Sequence, residues 1–167
     1  MATSPRRMAM LKDRELYGDL QEGVYRGVKW SIKANSYYPH SPRNHPLNTP
    51  ENTTFNWCGY VDLERPPTPE DIACMETYKE CTYEQGNVMG FDCGHFGDYP
   101  FWSDLSATYK DLAHVKRQLY AIIDSLVRTR ERIIRQRIAL LACFRKRRWP
   151  CDIVQAITHN MLEAEPE

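Results

Sequence analysis

Apolar and polar residues alternate within residues 25–33, from Val28 onwards. One set of alternate positions holds Val28, Trp30 and Ile32, and the other holds Lys29, Ser31 and Lys33. A period of two residues is typical of a strand with one buried face. The pattern predicts the first β-strand here. Residues 35–54 follow with many Pro, Asn, Ser and Thr residues and no apolar period, which indicates a long loop.

A second apolar segment, residues 55–63, predicts another strand. Gly59 lies inside it, where a bulge or the close approach of another part of the chain is expected. Pro66, Pro67 and Pro69 follow, and proline cannot donate to a strand ladder. Thr68 is a suitable N-cap for a short helical turn that begins at Pro69.

Two further extended segments, residues 80–85 and 88–93, flank the pair Gly86-Asn87. Both turn residues tolerate positive φ, so the sequence predicts a β-hairpin with a two-residue loop.

Between Pro100 and Pro150 the chain contains neither glycine nor proline, and its apolar residues recur at helical spacing. The stripe consists of Leu112, Val115, Leu119, Ile122 and Leu126. It predicts a long helix that covers the sheet and begins near Ser103 or Asp104. Thr129 interrupts the stripe, and the isoleucines and leucines that follow are out of phase, which predicts a stutter, a kink or a second helix. Asp152 is a candidate cap for a last short helix through Leu162.

These elements predict an α+β fold, with a small antiparallel sheet of about four strands packed on one long helix. We expect an N-terminal segment at residues 1–23, an α+β core domain at 24–127 and a basic helical extension at 128–167. The length of 167 residues and the hydrophobic share of 42% are those of an ordinary soluble domain. No apolar run approaches the roughly 18 residues of a membrane span, and the N-terminus lacks the apolar core of a secretory signal. Six cysteines are too few for a disulfide scaffold, so we expect a cytoplasmic protein.

The net charge of zero conceals an uneven distribution. Residues 1–127 carry 13 basic and 17 acidic side chains, whereas residues 128–148 carry nine basic side chains and one acid, Glu131. The basic candidates for partner or nucleic-acid contact are Arg128, Arg132, Arg135, Arg145, Lys146, Arg147 and Arg148. Arginines one helical turn apart can bind phosphates. Because isoleucines accompany them, contact with a partner protein or a homodimer through this helix is favoured over nucleic acid.

Reactive residue types are densest between Gly90 and Asp98. Asp92, Cys93, His95 and Asp98 lie within seven residues, and the glycines among them permit sharp turns. No cofactor is expected, although zinc is possible on these four side chains with Cys58 and Cys81. The alternatives are a Cys93–His95 nucleophile pair, a polar ligand-binding patch, or a structural turn whose groups satisfy each other.

Aromatic residues flank this segment in the sequence, and most of them are expected in the core. Tyr83 and Trp57 are the candidates for the wall of an aromatic pocket with Asp and His at its rim. His40 and His45 lie in the long loop, where they could close over such a pocket.

Several segments together resemble a family of small uncharacterised proteins from bacteriophages and prophages. They are residues 25–27, 57–61, 81–83, 90–98 and 109–116, and the segment Gly-Phe-Asp-Cys-Gly-His-Phe-Gly-Asp is the most specific of them. Relatives carry His-Gly-Gly-Leu-Thr-Tyr where this chain has Lys79-Glu-Cys-Thr-Tyr83, and the basic extension lies outside the pattern.

The resemblance implies a common origin and fold but no reaction. It implies a small phage-type accessory protein that binds a host protein or a small ligand, with an anti-defence or host-takeover role. The alternatives are a metal- or thiol-dependent hydrolase that uses residues 92–98, and nucleic-acid binding through the basic helix.

Overall fold

Five antiparallel strands and three helices make up the described part of the chain. The computed structural model describes residues 5–37, 44–49, 54–94 and 109–146, together with positions 153 and 156. The elements in chain order are α1 (Pro5–Tyr17), β1 (Leu20–Tyr25), β2 (Val28–Tyr37), β3 (Thr54–Asp62), α2 (Pro69–Glu76), β4 (Tyr83–Gln85), β5 (Val88–Asp92) and α3 (Leu112–Lys146). The predicted α+β class is confirmed.

The sheet has the order β1-β2-β3-β5-β4, and every neighbouring pair is antiparallel. The predicted hairpin through Gly86-Asn87 is confirmed as β4–β5. The strand predicted at residues 25–33 is β2, which begins at Val28, whereas Tyr25 ends β1. Arg26 and Gly27 connect them with φ of 49° and 80°, the positive values that a tight two-residue hairpin turn requires. The sheet has one strand more than predicted, and that strand is β1. Its sequence gave no strand signal, because Glu22 lies between Leu20 and Val24 on one face and interrupts the alternation of apolar and polar residues.

The register divides the sheet into two faces, because successive side chains on a strand point in opposite directions. On the inner face lie Val28, Trp30, Ile32, Phe55, Trp57, Val61, Met89 and Phe91. On the outer face lie Glu22, Val24, Lys29, Ser31, Cys58, Tyr60, Asp62, Val88, Asp92 and Tyr83. The inner set is buried, whereas the outer set ranges from buried to exposed.

Helix α3 packs on the inner face. Val115, Leu119, Ile122 and Ile123 are fully buried. Lys116 places its ammonium 5.1 Å from the Trp30 ring centre, and Tyr25 stacks on Tyr120 at 4.2 Å between ring centres. The close approach predicted at Gly59 is present, since a Cβ there would lie 2.8 Å from the Phe91 ring.

The prolines and Thr68 fix the start of α2 as predicted. The Thr68 hydroxyl accepts a hydrogen bond from the Asp71 amide, and the Asp71 carboxylate accepts one from the Thr68 amide, which completes a capping box. Arg65 lies 2.8 Å from the same carboxylate, which is buried.

Helix α3 begins at Leu112, where the Asp111 carboxylate accepts a hydrogen bond of 2.6 Å from the His114 amide. The predicted start of the long helix near Ser103 or Asp104 is wrong, because residues 109–111 precede α3 and are not helical. Ser103, Asp104 and the predicted cap Asp152 themselves lie outside the described residues. α3 continues to Lys146, so one of the three alternatives for the region after Leu126, the second helix, is wrong. Thr129 interrupts the apolar stripe without breaking the helix, because it keeps its backbone donor and acceptor.

Two compact units divide the chain at positions 123 and 124. All five strands belong to the first unit, and the second contains α3 from Asp124 onwards. None of the helices in the described ranges is both long and apolar enough to cross a membrane.

A chain of hydrogen bonds joins α1, β3 and the start of α3 within the first unit. The Trp57 indole donates to the Tyr109 hydroxyl at 2.9 Å, and that hydroxyl donates to the Asp13 carboxylate at 3.0 Å. The Leu112 amide donates to the same carboxylate at 3.4 Å. Burial raises the pKa of the Tyr109 hydroxyl, which stays protonated and available as a donor.

Replacing Tyr109 with phenylalanine removes the hydroxyl between the fully buried Trp57 indole and the half-buried Asp13 carboxylate. We expect Tyr109→Phe to lower the free energy of unfolding by about 1–3 kcal/mol, because the fully buried Trp57 indole loses its acceptor. Tyr78→Phe, at an exposed tyrosine, is the matched control and should change it by less than about 0.5 kcal/mol. Urea unfolding measures both. Equal stability of the two variants would contradict the structural role of this chain of bonds.

Candidate functional site

The predicted cluster at residues 92–98 is described only in its first part. Asp92 ends β5 on the outer face, and its Oδ1 accepts a hydrogen bond of 2.7 Å from the Gly94 amide. The Cys93 side chain is buried, with 1% exposed. His95 and Asp98 lie outside the described residues. Convergence of the four side chains therefore stays a prediction.

A buried amide on β3 holds the turn that begins this cluster. With the amide of Asn56 oriented to satisfy its neighbours, Nδ2 donates to the Asn35 carbonyl at 3.1 Å. Its Oδ1 accepts from the amides of Cys93 and Gly94 at 3.2 and 3.0 Å. Backbone groups after β5 thus have side-chain partners, which is what a structural turn requires. The only sequence signal for Asn56 is its polar side chain within an apolar strand.

Cys58 lies directly opposite Asp92 in the β3–β5 register. Burial raises the pKa of its thiol to about 11, and the negative charge of Asp92 adds to the effect. Burial also raises the pKa of the neighbouring Tyr60 hydroxyl. A neutral thiol is a poor nucleophile and metal ligand at physiological pH. Within the described ranges, no three His, Cys, Asp or Glu side chains are grouped to hold a metal ion.

The two aromatic candidates lie on opposite faces of the sheet. Trp57 is fully buried on the inner face, and its indole donates to Tyr109. Tyr83 is 39% exposed on the outer face, and its ring meets Tyr60 edge-on at 5.3 Å between centres. Because the sheet lies between them, Trp57 and Tyr83 do not line the same pocket. In the long loop, His45 Nδ1 accepts a hydrogen bond from the Leu47 amide. His40 lies outside the described residues.

The outer face carries a groove of about 500 Å³ that the sequence did not reveal. Its side-chain lining comes from four strands: Glu22, Val24, Lys29, Ser31, Tyr60, Asp62 and Val88. Ser31 lies between Glu22 and Tyr60 in the register and contributes only a small side chain to the floor. Tyr60 lies against Gly90, where an added Cβ would come 2.5 Å from the ring. The groove thus follows from a serine on β2 and a glycine on β5, the two strands on either side of β3.

The C-terminal part of α3, residues 128–146, is named the arm. Arg128, Arg132, Arg135 and Lys146 lie along it, and Arg135 pairs with Glu131 at 3.2 Å. Ile134 and Ile138 are 56% and 61% exposed and lie one helical turn apart. The Arg145 side chain, Arg147 and Arg148 lie outside the described residues.

No protein-family model matches this chain, and neither a curated protein nor a solved structure is significantly similar to it.

Thiol reactivity should follow burial. We expect Cys143, which is exposed, to react with a maleimide in the native protein at pH 8, and Cys58 and Cys93 to stay unmodified. The expected difference between Cys143 and Cys58 is at least about 100-fold in rate, because Cys58 is both inaccessible and protonated. Mass spectrometry of peptides after timed labelling measures each residue. In urea all three should react, and fast native labelling of Cys93 would restore the nucleophile hypothesis.

Proposed function

We propose that this chain is a small phage-type accessory protein that acts by binding a host protein, and that the arm makes the main contact. The resemblance of residues 90–98 and their companion segments supports the phage type and the anti-defence or host-takeover role. The exposed isoleucines of the arm carry the binding proposal.

The exposure of two isoleucine side chains on one face of the arm is unfavourable in free energy in water. Ile134 and Ile138 are four residues apart, so their side chains form one continuous apolar strip. Full burial of each such side chain is worth roughly 1.5–3 kcal/mol. A partner groove that accepts a helix recovers this free energy, as amphipathic helices do in other complexes.

The charges on the arm indicate the chemistry of the partner. Arg128, Arg132 and Arg135 form a stripe beside the isoleucine strip, because they recur at three- and four-residue spacing. An apolar groove with acidic residues along one rim complements both features. A nucleic acid complements only the arginines, because its phosphates bind cationic side chains and do not bury the isoleucines. The strip therefore favours a protein partner.

The buried thiols Cys58 and Cys93 support binding over hydrolysis. Cys93 and Cys58 are buried, and the pKa of Cys58 is raised far above neutral pH. Asp92 already accepts a backbone hydrogen bond. These groups resemble a packed turn more than an activated nucleophile.

Charged substitutions on the isoleucine strip should abolish partner binding without unfolding the protein. In affinity capture from a bacterial lysate, we expect a protein held by the wild type to be lost from Ile134→Glu/Ile138→Glu. The matched control is Gln136→Glu/Cys143→Glu, which adds the same charge at two exposed positions of the same arm. Retention by the control and loss by the first variant, quantified by mass spectrometry, is the expected result. Equal retention by both variants would show that the strip is not the contact.

Two further measurements separate the alternatives. Sedimentation of the purified chain tests a homodimer through the arm, which would dissociate in the Ile134→Glu/Ile138→Glu variant. Titration of DNA and RNA at several salt concentrations tests nucleic-acid binding, because phosphate contacts make affinity fall linearly with the logarithm of salt concentration. A steep slope abolished by Arg128, Arg132 and Arg135 substitutions would replace the proposal with the nucleic-acid alternative.

A further inference from the structure

The edge of the sheet at β1 has backbone groups directed away from the sheet. β1 is the terminal strand, and within the described ranges no other strand pairs with its outer side. Tyr25 and Val28 close the two-residue turn, so they form a hydrogen-bonded pair, and the pairs alternate from there. The amide and carbonyl groups of Glu22 and Val24 therefore point outwards.

Protection of this edge is weak by the standards of monomeric proteins. Natural edge strands are usually blunted by lysine, proline or a bulge. β1 has the sequence Leu-Gln-Glu-Gly-Val-Tyr, which contains none of these residues, and its pairing with β2 is regular over six residues. Val24 is 66% exposed, which leaves an apolar side chain beside the outward backbone groups. Such an edge is suited to the addition of another strand.

The groove of the outer face begins at the same edge. Glu22 and Val24 of β1 line it, and Ser31 and Lys29 lie opposite them on β2. A side chain on a strand added to β1 would stand about 5 Å from Glu22 and Val24, and a long one would extend over Ser31. The small side chain of Ser31 leaves room for that extension, because Tyr60 lies against Gly90 on the far side.

The charge of the groove selects a cationic side chain. Glu22 and Asp62 contribute two carboxylates to the lining. Lys29 is the one cation among the described lining residues, and its ammonium lies 3.1 Å from the carboxylate of Glu64, outside the lining. Because Glu64 balances Lys29, the two lining carboxylates keep an excess of negative charge. An arginine or lysine complements it.

We propose that β1 binds an extended basic peptide segment as a sixth strand, with an arginine or lysine side chain lying in the groove beside Glu22. Main-chain hydrogen bonds to Glu22 and Val24 hold the segment, and the groove selects its charge. The site contains no residue of the arm and does not depend on the function proposed for the arm.

A second copy of this chain is the competing occupant, through pairing of one β1 with another. Residues 20–25 contain no cation, so this arrangement would bring a second Glu22 carboxylate to an already acidic edge. Neighbouring like charges on paired strands are destabilising. The charge of the groove therefore favours a basic peptide over self-pairing.

The test uses the full chain and a synthetic ten-residue peptide in which arginine alternates with threonine, fluorescently labelled for anisotropy. We expect saturable binding, with affinity at least about tenfold lower for a peptide that has glutamate in place of arginine. Val24→Pro removes an outward amide while leaving the β1–β2 hydrogen bonds in place, and should weaken binding at least about fivefold. Val24→Thr keeps the amide and should bind as the wild type does.

Glu22→Gln tests the charge without touching the backbone. It should weaken binding of the arginine peptide at least about threefold, whereas Glu76→Gln, which removes the same charge on α2, should leave it unchanged. The Ile134→Glu/Ile138→Glu variant should also bind the peptide normally, which separates this site from the arm. Circular dichroism confirms that each variant is folded.

Three results would overturn the proposal. The first is absence of saturable binding by the wild type. The second is equal weakening by Glu22→Gln and Glu76→Gln, which would indicate unspecific attraction. The third is a dimer of the wild type in sedimentation that Val24→Pro dissociates, because the edge would then belong to a second copy.

Discussion

The register of β3 between β2 and β5 is the constraint on which both faces of this sheet depend. It directs Trp57, Gly59 and Val61 towards the helices, and Cys58 and Tyr60 to the outer face. A slip of one residue would exchange the two sets, burying a tyrosine hydroxyl against α3 and exposing an indole. The Phe91 ring lies against Gly59, where an added Cβ would come within 2.8 Å of it. The glycine therefore fixes the register sterically, and the apolar pattern fixes it by burial.

Polar groups complete what apolar packing leaves undetermined. Hydrophobic contacts are not directional, so they hold α1 and α3 on the sheet without setting where each helix ends. The bonds from Trp57 through Tyr109 to Asp13 are directional, and they join three elements that are distant in sequence. Asn56 does the same on the outer side for the turn after β5. Buried polar networks of this kind make one arrangement preferable to its near alternatives.

Local sequence signals predicted an element well where a particular residue type favours a single local structure, such as a helix cap or a tight turn. Thr68 before Pro69 specified a helix start, and Gly86-Asn87 specified a hairpin, because caps and tight turns depend on a few neighbouring residues. β1 gave no such signal, since its outer face mixes Leu20, Glu22 and Val24. Of the alternatives inferred at Thr129, the second helix was wrong, because a polar residue changes which face of a helix is buried while the backbone hydrogen bonds continue past it.

The sites were harder to predict than the elements, because sites join residues through the register. Asp92 and Cys93 are adjacent in sequence, yet the residues beside them are Cys58 and Asn56 on another strand. Trp57 and Tyr83 were both candidates for the wall of one aromatic pocket because both are aromatic. The alternation of side chains along the strands instead assigns them to opposite faces of the sheet. The groove was invisible because its floor depends on which residue lies opposite Glu22. Strand pairing joins residues that are distant along the chain, so its register cannot be predicted from local patterns in a single sequence.

The two proposed surfaces have opposite charge, and the neutral chain as a whole conceals both. With 22 basic and 22 acidic residues, the molecule has no net charge to attract a partner from a distance. Recognition must then depend on local charge, which salt screens beyond about 8–10 Å under physiological conditions. A second, short-range component is needed at each proposed surface to convert this attraction into stable binding. Burial of the isoleucines would provide it at the arm, and main-chain hydrogen bonds to the outward amide and carbonyl groups would provide it at β1, so these contacts, more than charge, would determine how long each partner stays bound.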